Sequence, residues 1–272
     1  MFRFGTGTTI LEACQEIKER LGTGDDTFGL YQAKTKAATK QHARSRWLVP
    51  LEKPLANFAL ENGDEIEFKS TNRPVRVAMP DGSYKTVQID DSAIVEKIID
   101  QLGLKLGLTN AEEYGILVKI KDKDTWLQPR FTLQEQPQMV SNDAALNFRK
   151  RFFVDDANVD KSDPTQLNFI YMQSVGRVLD GTYPCKPEEA ALFAAIQLQV
   201  TVGNFSPGNH NVAYIKKQNV LPKQYQSKEL EGAVLKEWGK LVNTNEINAK
   251  FKHEPLLCWH SSLLTLFFYR VR

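Results

Sequence analysis

The chain has 272 residues, 42% of them hydrophobic, and a formal charge of only +2 from 35 basic and 33 acidic side chains. That near-balance excludes the global positive field on which nucleic-acid binding depends, so any charged function must be local. Cys14, Cys185 and Cys258 are widely spaced and odd in number, which argues against a disulfide framework and for a reducing intracellular compartment.

In chain order, Met1 to Gly5 shows no basic stretch leading into a long apolar run, so no secretory signal is expected there. Thr9 and Glu12 are spaced as a capping box ahead of a helix with Ile10, Cys14, Ile17 and Leu21 on one face. Phe28 to Tyr31 reads as a strand and Trp47-Leu48 as a shorter one, and a turn over residues 60–64 feeds a final strand carrying Ile66 and Phe68. Val75, Val77 and Met79, then Tyr84, Thr86, Val87 and Ile89, alternate around Asp81-Gly82, which predicts a hairpin. Asp90-Asp91-Ser92 opens a second helix with Ile94, Ile98, Leu102 and Leu106 on its apolar face. Tyr114 to Leu117, Trp126-Leu127, and Val140 to Asp143 leading into Leu146 and Phe148 then repeat the earlier landmarks, in the same order, at an offset of about 80 residues.

Hairpin, helix, strand, short strand and final strand is the order of a ubiquitin-like roll, so the chain is expected to hold two in tandem. Only Met1 to Phe4 precede the first helix, so the first roll is expected to lack most of its opening hairpin and to be the weaker one. After Phe152-Phe153-Val154 the pattern becomes all-helical. Asp163-Pro164 supplies a cap and a proline at the first helical position, and Leu167, Ile170, Tyr171, Ser174 and Val178 keep helical spacing. Pro187-Glu188-Glu189 starts a helix apolar nearly all round, and Leu230, Val234, Trp238 and Leu241 form a further stripe. The apolar stretch from Leu256 to Tyr269 is broken by His260, Ser261 and Ser262 and falls short of the ~20 residues that span a bilayer.

Catalytic groups do not converge. His42, His210, His253 and His260 have no partner at metal-ligand spacing, and no glycine loop ends in the Lys-Ser/Thr of a phosphate cradle. Asp156, Asn158 and Asp160 begin like a calcium loop, but Lys161 stands where the turn glycine belongs and Leu167 where the bidentate glutamate belongs. Cys14 falls on the buried face of its helix and reads as core. No catalytic residue, metal or cofactor is therefore expected, and neither is a nucleic-acid partner. The strongest charge cluster is Lys216, Lys217, Lys223, Lys228, Lys236 and Lys240. Such a run is either a solvated helical face or a surface for the anionic inner leaflet of the plasma membrane.

Arg73-Pro74-Val75 with Asp81-Gly82 and Asp90-Asp91-Ser92, Gly107-Leu108-Thr109-Asn110, Arg149 to Phe153, Asn158-Val159-Asp160 and Gln166-Leu167-Asn168 together resemble the talin head of the FERM superfamily. Leu221-Pro222-Lys223 with Tyr225, and Glu246-Ile247 with Ala249-Lys250, extend the resemblance to about Phe251. It implies an α+β chain of two tandem ubiquitin-like β-grasp domains, 1–70 and 73–154, then an all-helical acyl-CoA-binding-protein-like bundle, 160–252, and a divergent tail, 253–272. It also implies a noncatalytic adaptor at the cytoplasmic face of the plasma membrane, joining adhesion sites and acidic phospholipids to the actin cytoskeleton, with the six lysines as the lipid contact. A free-standing scaffold for a small GTPase or another protein is the alternative.

In the family, the first lobe docks a Rap-family GTPase. Lys18 and Arg20 stand at or near the basic positions for that, while Gln15 replaces a basic residue, so docking and a solvated helix both stay open. Lys34, Lys36, Lys40, Arg44 and Arg46 form a basic loop that would either touch lipid or be an insertion. Lys119 to Asp124 runs almost directly into Trp126, without the long basic insertion of the family's second lobe. Residues 253–272 depart from the family where an integrin-binding lobe would follow, so direct integrin-tail binding is not expected, and Pro255 is expected to stop the last helix.

Overall fold

The computed structural model describes residues 2–22, 27–33, 45–61, 63–120, 123–136, 146–151 and 162–253. Its elements are mixed α+β. Contacts group the chain into two compact units, one of Met1–Ala78, Tyr84–Lys105 and Gly115–Phe148, the other of Met79–Ser83, Leu106–Tyr114 and the chain from Arg149 on.

The first repeat begins with helix α1 (Ile10–Leu21), whose start the sequence dictates: Thr9 Oγ1 accepts the Glu12 N–H at 3.2 Å while the Glu12 carboxylate accepts the Thr9 N–H at 2.8 Å. The cap satisfies two orphan donors, so Thr9→Ala is expected to cost about 1 kcal/mol, seen as faster amide exchange along α1. Gly22 ends α1 in the left-handed conformation, with φ 64°. Strands β1 (Phe28–Gln32), β2 (Arg46–Trp47) and β3 (Ile66–Ser70) form an antiparallel sheet in the order β2-β1-β3. Ile10, Ala13, Cys14 and Ile17 of α1 pack with Leu30, Leu48 and Phe58, and Phe2, Phe4 and Phe68 close over them half-buried.

The second repeat has the expected hairpin, β4 (Asn72–Ala78) against β5 (Tyr84–Asp90), with Val75 opposite Val87. Gly82 takes φ 79° in the connecting turn, where a side chain would be strained. Helix α2 (Val95–Leu106) follows, then β6 (Tyr114–Ile120), β7 (Lys123–Trp126) and β8 (Leu146–Lys150), in a five-stranded sheet of order β5-β4-β8-β6-β7. β4 pairs with β8 in parallel, Val77 beside Leu146. The repetition extends to detail: Thr9 bridges Pro54 just ahead of α1, and Ile94 bridges Thr132 just ahead of α2.

Asp91 joins the repeats. It is buried, and its Oδ1 accepts Arg73 Nε at 2.6 Å while its Oδ2 accepts Trp47 Nε1 at 3.0 Å and the side-chain amide of Gln134. The backbone continues the junction, with Thr71 N–H donating to Thr27 O and Asp91 N–H to Thr71 O. Packing there is close: a Cβ on Gly29 would stand 3.1 Å from the Thr71 methyl and 3.5 Å from the Trp47 ring.

The helical part comprises α3 (Pro164–Leu179), α4 (Pro187–Thr201), α5 (Val212–Gln218), α6 (Lys228–Lys240) and α7 (Glu246–His253). Asp163 caps α3 through Oδ1, accepting Thr165 N–H at 3.0 Å and Gln166 N–H at 2.9 Å, with Pro164 first in the helix as expected. α4 is buried along most of its length and packs on α6 and α7. In the same unit, Gln173 of α3 clamps Lys150, accepting its backbone N–H and donating to its C=O at 2.9 Å each. The Lys150 ammonium meets Glu113 at 2.5 Å with little exposure on either side. The short helix α5 was not foreseen from the sequence. α7 ends at His253, and Pro255 lies outside the described residues.

Candidate functional site

The six lysines fall on one helix–turn–helix. Asn211 Oδ1 accepts the Tyr214 N–H at 3.0 Å and starts α5, which ends at Asn219 in the left-handed conformation, φ 51°. Val220, Leu221 and Pro222 are buried and carry the chain into a single 3-10 turn over Lys223–Tyr225. Tyr225 donates its hydroxyl to Cys185 O at 2.7 Å, pinning that turn to the segment before α4. Ser227 Oγ then accepts the Leu230 N–H at 3.3 Å and opens α6. α5 and α6 pack on each other, and the apolar residues Ile215, Val234 and Trp238 point inward.

That inward anchoring leaves Lys216, Lys217, Lys223, Lys228, Lys236 and Lys240 all exposed. Among the described residues only Lys240 of the six is held in an ion pair, with Glu237 at 2.6 Å. Glu231 is buried and Glu229 exposed on the first turn of α6. The surface is therefore a set of exposed ammonium groups, five of them without an ion-pair partner among the described residues, on a capped helix–turn–helix, which suits contact with dispersed negative charge. The Tyr225 pin escaped the sequence reading, because its partner is a backbone carbonyl forty positions away.

Trp238 fixes the arrangement from within. Its Nε1 donates to Gly203 O at 2.9 Å and Gln199 Oε1 at 3.2 Å, and its ring stacks on His210 at 4.3 Å. His210 Nδ1 accepts the Ser206 N–H at 3.0 Å and its ring lies 4.9 Å from Tyr214 of α5, so this histidine is a packing residue.

Lys18 and Arg20 both lie on α1 but, two positions apart on a helix, they do not face the same way. Arg20 pairs with Glu16 at 2.5 Å and stands 5.5 Å over the Phe2 ring. Of the basic loop, Lys34, Lys36, Lys40 and Arg44 lie outside the described residues. Arg46 donates to Gln32 Oε1 at 2.9 Å and to Phe58 O at 2.5 Å, so it serves the first repeat's own structure. The calcium-like residues Asp156, Asn158 and Asp160 also lie outside the described residues, and no metal-holding cluster is found among those described. Burial pushes the thiols of Cys14 and Cys185 up, the second with help from the Glu189 charge, so neither is an activated nucleophile. No helix among the described residues is long and apolar enough to cross a membrane.

Comparison with known proteins places these elements. Residues 1–70 match the N-terminal or F0 domain of the talin-head FERM, 72–152 an RA-like domain and 156–253 the FERM central domain. Talin-B of Dictyostelium discoideum is 34% identical over 256 residues, 93% of this chain and 10% of that protein. Talin-1 of Gallus gallus is 29% identical over 293 residues, 93% of this chain and 11% of that protein. The chain thus spans about a tenth of the length of these relatives. Among solved structures, the FERM and C-terminal domain complex of Drosophila Merlin superposes with a TM-score of 0.57 at 16% identity, covering 68% of this chain and 64% of that one. The MyTH4-FERM MF2 domain of Dictyostelium discoideum Myosin VII gives 0.58 at 17%, covering 69% and 41%. These two show a shared FERM-like fold. Three consecutive matched segments, with similarity to talins extending over 93% of the chain, make this chain a talin-head-like member of the FERM superfamily.

Proposed function

We propose that the chain is a noncatalytic, talin-like adaptor whose helical lobe meets acidic phospholipids at the inner face of the plasma membrane, joining adhesion sites to the actin cytoskeleton. On this reading residues 1–70 and 73–154 are ubiquitin-like rolls, 160–252 is an acyl-CoA-binding-protein-like bundle, and 253–272 is a divergent tail. The observation that carries it is the set of six exposed lysines on α5, the turn and α6, five of them without an ion-pair partner among the described residues.

Basic residues held at an anionic leaflet contribute roughly 1 kcal/mol each, so changing Lys216, Lys217, Lys223 and Lys228 to Glu should remove at least about 4 kcal/mol of affinity. Co-sedimentation with phosphatidylserine or phosphoinositide vesicles is expected to be lost in that variant, and in the unaltered chain to weaken as salt is raised. Equal binding to neutral vesicles would sink the electrostatic mechanism. A scaffold that binds a small GTPase through Lys18 and Arg20 predicts instead that the four-lysine variant behaves like the parent.

A further inference from the structure

One group on the lysine-bearing surface can change its charge while the sequence stays the same. From Val212 to Lys240 the hydroxyl side chains are Tyr214, Tyr225 and Ser227. Tyr214 is half-buried beside Trp238 and His210, and Tyr225 gives its hydroxyl to Cys185 O. Ser227 is exposed, and so are Lys223, Gln224, Gln226, Lys228 and Glu229 around it. Gln226 (φ −80°, ψ 90°) and Ser227 (φ −138°, ψ 153°) form an extended step between the 3-10 turn and α6, which leaves the hydroxyl open to solvent.

Local charge decides what a modification there does. Residues 223–231 set Lys223 and Lys228 against Glu229 and Glu231, two positive and two negative, so this stretch between the other lysines stands near balance. A phosphate brings about −1.5 to −2 charges at pH 7, enough to make it distinctly negative. Negative charge at that point repels the anionic leaflet that Lys216, Lys217, Lys236 and Lys240 attract, and it draws Lys223 and Lys228 to itself.

The fold tolerates the added group. Ser227 is the N-cap of α6, and its Oγ takes part as an acceptor, from Leu230 N–H at 3.3 Å. A phosphoryl group keeps acceptor oxygens beside the first-turn N–H groups, and negative charge is favoured at that end of a helix. Val234 and Trp238 hold α6 in the core throughout.

We propose that Ser227 is a phosphorylation site that switches this surface off the membrane; the proposal rests on the surface meeting acidic phospholipids. A serine/threonine kinase transfers the γ-phosphoryl group of ATP. The bond from Ser227 Oγ to phosphorus forms, the bond from that phosphorus to the β,γ-bridging oxygen breaks, ADP leaves, and the hydroxyl proton passes to the kinase's base.

The test compares the full chain with three forms of it, phosphoserine at 227, Ser227→Asp and Ser227→Asn, on phosphatidylserine vesicles. Asp and Asn are both good N-caps, so those two differ in charge and not in capping. Phosphoserine is expected to weaken binding by at least about tenfold, as the loss of two lysines at the leaflet would, and Ser227→Asp by roughly fivefold. Ser227→Asn is expected to bind like the parent. Helical circular dichroism should be the same in all four, and the differences in binding should shrink as salt is raised. Chain recovered from eukaryotic cells with phosphatases inhibited should carry phosphate on the tryptic fragment that contains Ser227. Parent-like binding by the phosphoserine form, equal weakening by Asp and Asn, a loss of helix that accounts for the weakening, or a fragment that stays unmodified would each overturn the proposal. A parent chain that ignores acidic vesicles would instead show that the membrane reading itself has failed, and the switch with it.

Discussion

Trp238→Ala is expected to cost the helical lobe about 3–5 kcal/mol, the range for emptying a fully buried aromatic site. Trp238 is 0% exposed, and its ring is flanked by Phe205, His210 and Tyr214 at centroid distances of 5.5, 4.3 and 6.3 Å. Loss of the indole also strips a donor from Gly203 O and Gln199 Oε1. Trp238→Phe separates the two effects, because it keeps most of the packing and loses only the donor, at about 1–3 kcal/mol. Urea unfolding followed by helical circular dichroism measures both. Since small domains are stable by only ~5–15 kcal/mol, the Ala variant should show a large fall in midpoint, and an unchanged midpoint would refute the packing argument. Tyr214 belongs to α5, so the same variant should loosen the helix that presents Lys216 and Lys217 and weaken vesicle binding without altering any charge.

Asp91→Ala should be comparably severe for the first unit, about 3–5 kcal/mol, because it leaves Arg73 facing a buried gap where its carboxylate stood. The side chains of this ion pair are 23% and 6% exposed, so solvent offers limited replacement. Asp91→Asn keeps an acceptor for the Trp47 N–H but loses the charge, and should cost less. Hydrogen exchange distinguishes the outcomes: segments 27–33 and 45–58 should open faster in the Ala variant, with the helical lobe unaffected. If those segments keep their protection, the junction depends on something other than Asp91.

Much of the local structure was legible in the sequence because the determinants are local. The Thr9/Glu12 box, the Asp81-Gly82 hairpin turn and the Asp163-Pro164 start all act within a few residues, and each appears where it was expected. Helix α5 was missed because its seven residues hold just one fully buried side chain, Ile215, too little for a periodic stripe. Trp47 was legible as a landmark of the repeat, but its bond to Asp91 was not, since nothing in the spacing of two residues forty-four apart says that they meet. The exposure of Lys228, Lys236 and Lys240 could be read from the apolar stripe of α6, whereas that of Lys216, Lys217 and Lys223 could not, because α5 and the turn carry no such stripe. The divergent facing of Lys18 and Arg20 could also have been derived, from helical geometry alone.

Between β3, ending at Ser70, and β4, beginning at Asn72, stands a single residue, Thr71, whose own N–H and C=O are both engaged. A connection that short stores no slack. Tension drawn along the chain across this point has no coil to straighten first, and so bears at once on the Asp91 bonds and the Thr27–Thr71 contact. The two repeats should therefore yield to load together, as one mechanical element.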